Sequence, residues 1–272
     1  MKNIINIGFS ILCLFVLSCK EEPVIIPKSV GSSTAAHKVV VEEYTGVKCV
    51  NCPAGSAEIE NLRAKHGENL IAVSIHAGLF AKPYTESKYD LKTKVGEEIM
   101  NYVAVPEGYP SATIDRKVFS GQASPQVGQS TWAGYIDEQL KSSASLKVTL
   151  SNVYDAASRT LKAKISILPT QNISEKLRLT VMITESNIVD YQSTTQGKNA
   201  NYKHKHVLRD LLTAATGDDI LAELKIAILE NKTFTYKIPN NWNPDNCSVI
   251  AFVHRANAND KSILNADEKP LK

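Results

Sequence analysis

Lys38-Val39-Val40-Val41-Glu42-Glu43-Tyr44-Thr45-Gly46-Val47-Lys48-Cys49-Val50-Asn51-Cys52-Pro53 is the stretch on which the fold turns, read together with the residues that follow it as far as His76. Val39–Val41 are β-branched and apolar, the composition of a buried strand. Pro53 opens the run Ala54–His66 and Gly67 closes it. Proline in the first turn and glycine past the last punctuate a helix. Asn69–His76 is a nearly unbroken apolar run, as expected of a parallel strand covered on both faces. The order is therefore strand, Cys-x-x-Cys, helix, strand. In that βαβ setting the cysteine pair reads as a redox motif rather than as half of a zinc site. A zinc site needs further ligands, and Cys247, His204 and His206 lie in the other half of the chain. No metal and no cofactor is expected.

This arrangement resembles a thioredoxin-like domain. The resemblance implies a cis-proline opposite the cysteines, just before the next strand. Gly108-Tyr109-Pro110-Ser111-Ala112-Thr113-Ile114-Asp115 fits that place. It also implies a buried carboxylate six residues before the first cysteine, the position of Glu43. By itself that residue suits a solvated or helix-capping glutamate equally well. Cys49 precedes the helix and Cys52 sits in its first turn, so the positive end of the helix favours a Cys49 thiolate, with Lys48 adding to the effect. In this role Cys49 attacks a substrate disulfide and Cys52 resolves the mixed disulfide. Neither Val50 nor Asn51 is a histidine, which gives no reason to expect a strongly oxidising pair. The same two cysteines also suit a short structural disulfide that staples the helix start. Leu91, Val95, Ile99 and Tyr102 predict an amphipathic helix over 88–103. Gln129–Lys141, with Trp132, Tyr135, Ile136 and Leu140, predicts a closing helix.

From Ser145 the apolar period changes to two. Leu146–Leu150 and Leu161–Leu168 alternate, Leu177–Thr184 and Thr233–Ile238 are strand-like, and Cys247–His254 reads as a buried strand. Ser262–Asn265 suggests a last strand, while Ile220–Ile228 suits helix or strand. Several short strands with turn signals point to an antiparallel sandwich of immunoglobulin-like type. Tyr202–Asp210 reads as a packed connector across the domain interface; the alternative is a strand on which His204 and His206 face one side, which would permit metal binding. Cys247 reads as a small core residue.

Met1-Lys-Asn precedes an apolar run of fourteen residues, Ile4–Leu17, too short for a membrane span and suited to a signal peptide. Val16-Leu17-Ser18-Cys19 resembles a bacterial lipobox, with Cys19 as the lipidated residue; ordinary signal cleavage or an uncleaved anchor are the alternatives. Cys13 leaves with the signal. Lys20-Glu21-Glu22 is similar to a Bacteroidota lipoprotein export signal, which implies display on the outer leaflet; a solvated tether is the other reading. The chain of 272 residues then divides into a signal peptide (1–18), a flexible tether (19–37), a thioredoxin-like α/β domain (38–143) and an all-β sandwich (144–272). A net charge of +3, from 31 basic and 28 acidic residues without a basic cluster, argues against a nucleic-acid partner.

Taken together, Glu42-Glu43-Tyr44-Thr45-Gly46 leading into Cys49-Val50-Asn51-Cys52-Pro53-Ala54-Gly55, Gly108-Tyr109-Pro110, His206-Val207-Leu208-Arg209 and Asn246–Val253 resemble the twenty-eight-kilodalton outer membrane protein family of Bacteroidota lipoproteins. The resemblance implies a lipid-anchored outer-membrane protein at the cell surface, with the periplasmic face as the alternative. It implies little about reaction. Two functions stay open. One is thiol–disulfide exchange with a disulfide-containing protein substrate, using Cys49, Cys52, Pro110 and Glu43. The other is non-enzymatic binding of a surface ligand, with the cysteines structural.

Overall fold

The computed structural model describes residues 35–272. Cys13, Cys19 and Lys20-Glu21-Glu22 lie outside the described residues. Strand β1 (Val39–Thr45) and strand β2 (Leu70–His76) pair in parallel, with Val39 opposite Leu70 and Thr45 opposite His76. Helix α1 (Cys52–His66) makes the crossover between them. All residues of both strands are buried, which explains their unbroken apolar character.

The chain then runs through helix α2 (Lys94–Val103), β3 (Ser111–Ile114), β4 (Gln126–Gly128) and helix α3 (Trp132–Leu140). β3 is antiparallel to β1, and β4 to β3. Alternate residues of a strand point to opposite faces, so β1 serves two cores. Val39 and Val41 pack with Ile59 and Leu62 of α1 and Trp132 and Ile136 of α3. Val40 and Tyr44 pack with Ile99, Met100 and Val103 of α2. α2 is shorter than the expected 88–103, because Thr93 Oγ1 accepts a hydrogen bond from the Gly96 amide at 3.0 Å and caps the helix there. Leu91 leaves the helical stripe and packs instead with Val47, Ile188 and Val207. The start of the expected closing helix, Gln129–Thr131, is a 3-10 turn.

Nine further strands of five or more residues follow: β5 (Leu146–Asp155), β6 (Thr160–Pro169), β7 (Leu177–Glu185), β8 (Ile188–Thr194), β9 (Gly197–His204), β10 (Val207–Leu211), β11 (Glu230–Lys237), β12 (Cys247–Arg255) and β13 (Ile263–Pro270). The order β11-β6-β5 makes an antiparallel three-stranded sheet. Its apolar face, including Val148, Leu150, Ile165 and Ile167, packs with Leu179, Val181 and Ile183 of β7 and Val249, Ala251 and Val253 of β12.

The large sheet has the order β13-β12-β7-β10-β2-β1-β3-β4. It therefore runs through the expected boundary at 143/144. Val207 bridges to Ser74 in parallel, and the Ser74 amide donates to the His206 carbonyl at 2.7 Å. Residues from both halves belong to one compact unit. The α2 core extends along this sheet to Met182, Leu208, Ile250 and Phe252. A fully buried ion pair reinforces the arrangement: Arg116 donates to both carboxylate oxygens of Glu42, at 2.8 and 2.6 Å, and lies 4.8 Å from the Phe252 ring centre. Ile220–Ile228 forms neither helix nor strand; its Leu224 makes an isolated bridge to Ile173. β8 and β9 form a hairpin that belongs to neither sheet.

Candidate functional site

Cys49 and Cys52 form a disulfide at the start of α1. Proline in the first turn costs the helix nothing there, since that N–H has no partner within the helix. The Cys52 amide points at Cys49 Sγ, 3.1 Å away, so the exposed donor end of α1 falls on the first sulfur.

The cysteine loop is held from two sides. On one, the Lys48 amide donates to the Phe80 carbonyl at 3.0 Å. Gly46 is required by the same approach, since a Cβ there would lie 2.4 Å from the Phe80 carbonyl carbon. On the other side stands the β8–β9 hairpin. The Ser193 amide donates to the Val47 carbonyl at 2.7 Å. The buried Gln192 Nε2 donates to the carbonyls of Gly46 at 3.2 Å and Cys49 at 2.9 Å. Cys49 and Cys52 are left only 3% and 1% exposed. Lys48 lies over the Tyr84 ring, 5.2 Å from its centre.

The Tyr109–Pro110 peptide is cis. Pro110 and Glu43 meet at Gly55 of α1: a Cβ on Gly55 would sit 2.8 Å from Pro110 Cβ and 3.1 Å from Glu43 Oε1. Glu43 is fully buried, neither solvated nor a helix cap. It accepts hydrogen bonds from Ser74 Oγ at 3.0 Å and Ser56 Oγ at 3.1 Å. Burial outweighs those hydrogen bonds, and with the nearby Glu60 charge pushes the Glu43 carboxyl up to about 7. Near neutral pH it is therefore divided between its protonated and ionised forms.

A cavity of about 310 Å³ lies against this carboxyl. Glu43, Cys52, Ser74, His76, Gln192 and His204 contribute to its wall. The His76 and His204 rings meet edge to face at 5.5 Å. Burial lowers both, His76 well below the usual imidazole range and His204 to about 4, so both are neutral near pH 7. His204 and His206 do not share a strand. His204 ends β9, while His206 lies in the link to β10 with φ 53°. His206 Nε2 hydrogen-bonds Glu60 Oε1 of α1 at 2.9 Å, and Lys205 pairs with the other oxygen. Those two hydrogen bonds, the one from His206 foremost, hold the Glu60 carboxyl down at about 2. The segment is a packed connector between α1 and the second half. Among the described residues, no group of three or more His, Cys, Asp and Glu side chains is placed to hold a metal ion.

Cys247 begins β12 as a buried free thiol and donates to the Asn243 carbonyl at 3.3 Å. Burial, with the nearby Glu185 charge, pushes it up to about 12.

The structure thus brings Glu43, Cys49, Cys52 and Pro110 together around the start of α1. Sequence reasoning missed Ser56, Ser74, Gln192 and the hairpin. Ser74 carried a signal, as the lone hydroxyl within the apolar run of β2. Gln192 carried none, lying 143 residues from the cysteine it contacts.

HBP35 of Porphyromonas gingivalis has a similar fold, with a TM-score of 0.68 at 19% identity over 87% of this chain and 76% of that one. Protein AGR_C_4864 from Agrobacterium tumefaciens is similar at a TM-score of 0.54 and 14% identity, over 88% of this chain and 97% of its own. A domain of the outer membrane lipoprotein Omp28 from Porphyromonas gingivalis aligns with 47% of this chain and 89% of its own, at 14% identity and a TM-score of 0.33. No curated protein sequence matches the chain. The sequence family described as outer membrane protein Omp28 matches residues 99–272, a span that begins inside α2, after the cysteine pair. Because that match covers more than half of the residues, the chain belongs to the Omp28 family of outer membrane proteins.

Proposed function

We propose that this outer membrane protein is a lipoprotein anchored through Cys19 and displayed on the cell surface, whose Cys49–Cys52 pair carries out thiol–disulfide exchange. In this reading residues 38–143 are a thioredoxin-like domain and 144–272 an immunoglobulin-like sandwich, joined along one sheet. Lys20-Glu21-Glu22 directs export, with retention on the periplasmic face as the alternative.

The observation that carries the exchange reading is Glu43, a carboxyl at about 7 on the cavity wall that Cys52 also forms. A purely structural disulfide has no use for a buried proton carrier, which costs stability when ionised. The Cys52 amide pointing at Cys49 Sγ adds to it, because it stabilises a Cys49 thiolate once the bond is opened. Pro110 packs against α1 beside this carboxyl and completes the platform. The test is disulfide reductase activity of the reduced mature protein on a model protein disulfide. Activity lost in Cys49→Ser supports exchange, and no activity above that variant overturns it. Display is tested by protease shaving of intact cells, where survival of the full-length chain contradicts surface export.

One observation favours a second reading, in which the disulfide is structural and the sandwich binds a surface ligand. Both cysteines are closed off by the hairpin, as a staple would be.

A further inference from the structure

The hairpin that closes the site also defines what can reach it. Resting on the exchange reading above, we propose that the redox partner is a low-molecular-weight thiol, which enters the cavity beneath the β8–β9 hairpin and attacks Cys52 rather than Cys49.

A polypeptide substrate needs an exposed sulfur with room along the chain on both sides. Here the Phe80–Ala81 backbone presses on Gly46 from one side, while Gln192 and Ser193 bind the loop carbonyls on the other. Tyr84 hydrogen-bonds Ser193, the Tyr89 amide donates to Asp190 at 2.8 Å, and Lys198 pairs with Glu86 at 2.7 Å. The hairpin is therefore fastened along its length to the segment that follows β2. The cavity remains as a way in. Cys52 contributes to its wall and Cys49 does not. At about 310 Å³ it is at the small end of ligand pockets, which run from roughly 300 to 1,000 Å³. The exposed Lys203 at its edge suits a thiol that also carries a carboxylate, such as cysteine.

The step balances without another reagent. The entering thiol gives its proton to the Glu43 carboxylate, and its sulfur attacks Cys52 Sγ. The Cys49–Cys52 bond breaks, and its electron pair leaves on Cys49 Sγ, which accepts the Cys52 N–H. Glu43 returns the proton to Cys49. A second thiol then attacks the mixed disulfide at its own sulfur, releasing a small disulfide, and its proton goes to Cys52. Two small thiols are oxidised, and the protein pair is reduced to a dithiol.

The hairpin is a separate two-stranded element. Asn187 and His206, both non-glycine residues at positive φ (62° and 53°), flank Ile188–His204 at either end.

The test exposes oxidised mature protein to L-cysteine or, at equal thiol concentration, to a reduced thioredoxin-type protein, with acid quenching, alkylation and peptide mapping by mass spectrometry. The expected result is cysteinylation of Cys52 with the alkyl label on Cys49, and reduction by L-cysteine faster than by the protein dithiol by an order of magnitude or more. Gln192→Ala, which releases the hairpin from the loop, should raise the rate with the protein dithiol by a similar factor. Cysteinylation of Cys49, a faster protein dithiol in the unaltered chain, or no gain in Gln192→Ala overturns the proposal and leaves exchange itself standing. Reduction by neither reagent without denaturant overturns the exchange reading as well.

Discussion

Replacing Glu43 with glutamine gives the sharpest prediction about the buried carboxyl. Glutamine keeps the shape, and its carbonyl oxygen can still accept from Ser56 or Ser74. What it removes is the ionisation. The folded carboxyl sits at about 7 against 4.5 for the free side chain, so the folded state holds this proton more tightly than the unfolded one. Wild-type stability from this group is complete below the unfolded value and is lost as pH rises through the folded one. A shift of about 2.5 units at about 1.4 kcal/mol per unit makes the loss about 3 kcal/mol. Urea denaturation of both proteins in the oxidised state, between about pH 4.5 and about pH 8, reads it directly. The stability of Glu43→Gln relative to wild type should climb by about 3 kcal/mol across that range. A difference that stays constant with pH would mean that the carboxyl titrates alike in both states and that its burial does not raise it.

Three further outcomes follow from the packing. Arg116→Met strands the fully buried Glu42 carboxylate and should cost about 3–5 kcal/mol in chemical denaturation, with Glu42→Gln in addition recovering part of the loss. Gly55→Ala places a methyl 2.8 Å from Pro110 and should destabilise by about 1–3 kcal/mol in thermal or chemical melts. Cys247 should resist alkylation at mildly alkaline pH in the native protein and label fully in denaturant, since its thiol is buried and pushed up to about 12; rapid native labelling would contradict its placement.

The elements around the cysteines were legible because their signals are local. Three β-branched residues mark β1, Pro53 and Gly67 mark α1, and the apolar run Asn69–His76 marks the strand after it. Pro110 was legible only through the resemblance, since nothing in Gly108–Ser111 by itself selects a cis bond. The shared sheet was not legible. Its join is the single bridge from Val207 to Ser74, between residues whose neighbours look like ordinary strand and connector. The hairpin was hidden for another reason: β9 is mostly exposed and polar, so Gly197–His204 carries no apolar alternation. Gln192 then acts across a separation that only tertiary structure closes, as the buried donor to the Cys49 carbonyl. His204 and His206 were legible as part of a packed connector; His206 adopts a left-handed turn, which breaks the strand period between them.

Thiol–disulfide exchange requires that the Cys49–Cys52 bond open readily. Its reduction potential, measured on the mature protein by equilibration against dithiol buffers with Cys49→Ser as the control, tests this most directly. A value between about −180 and −280 mV, in the range of proteins that exchange disulfides, is the result predicted here. A value below about −300 mV would place the bond among structural disulfides and rule out exchange.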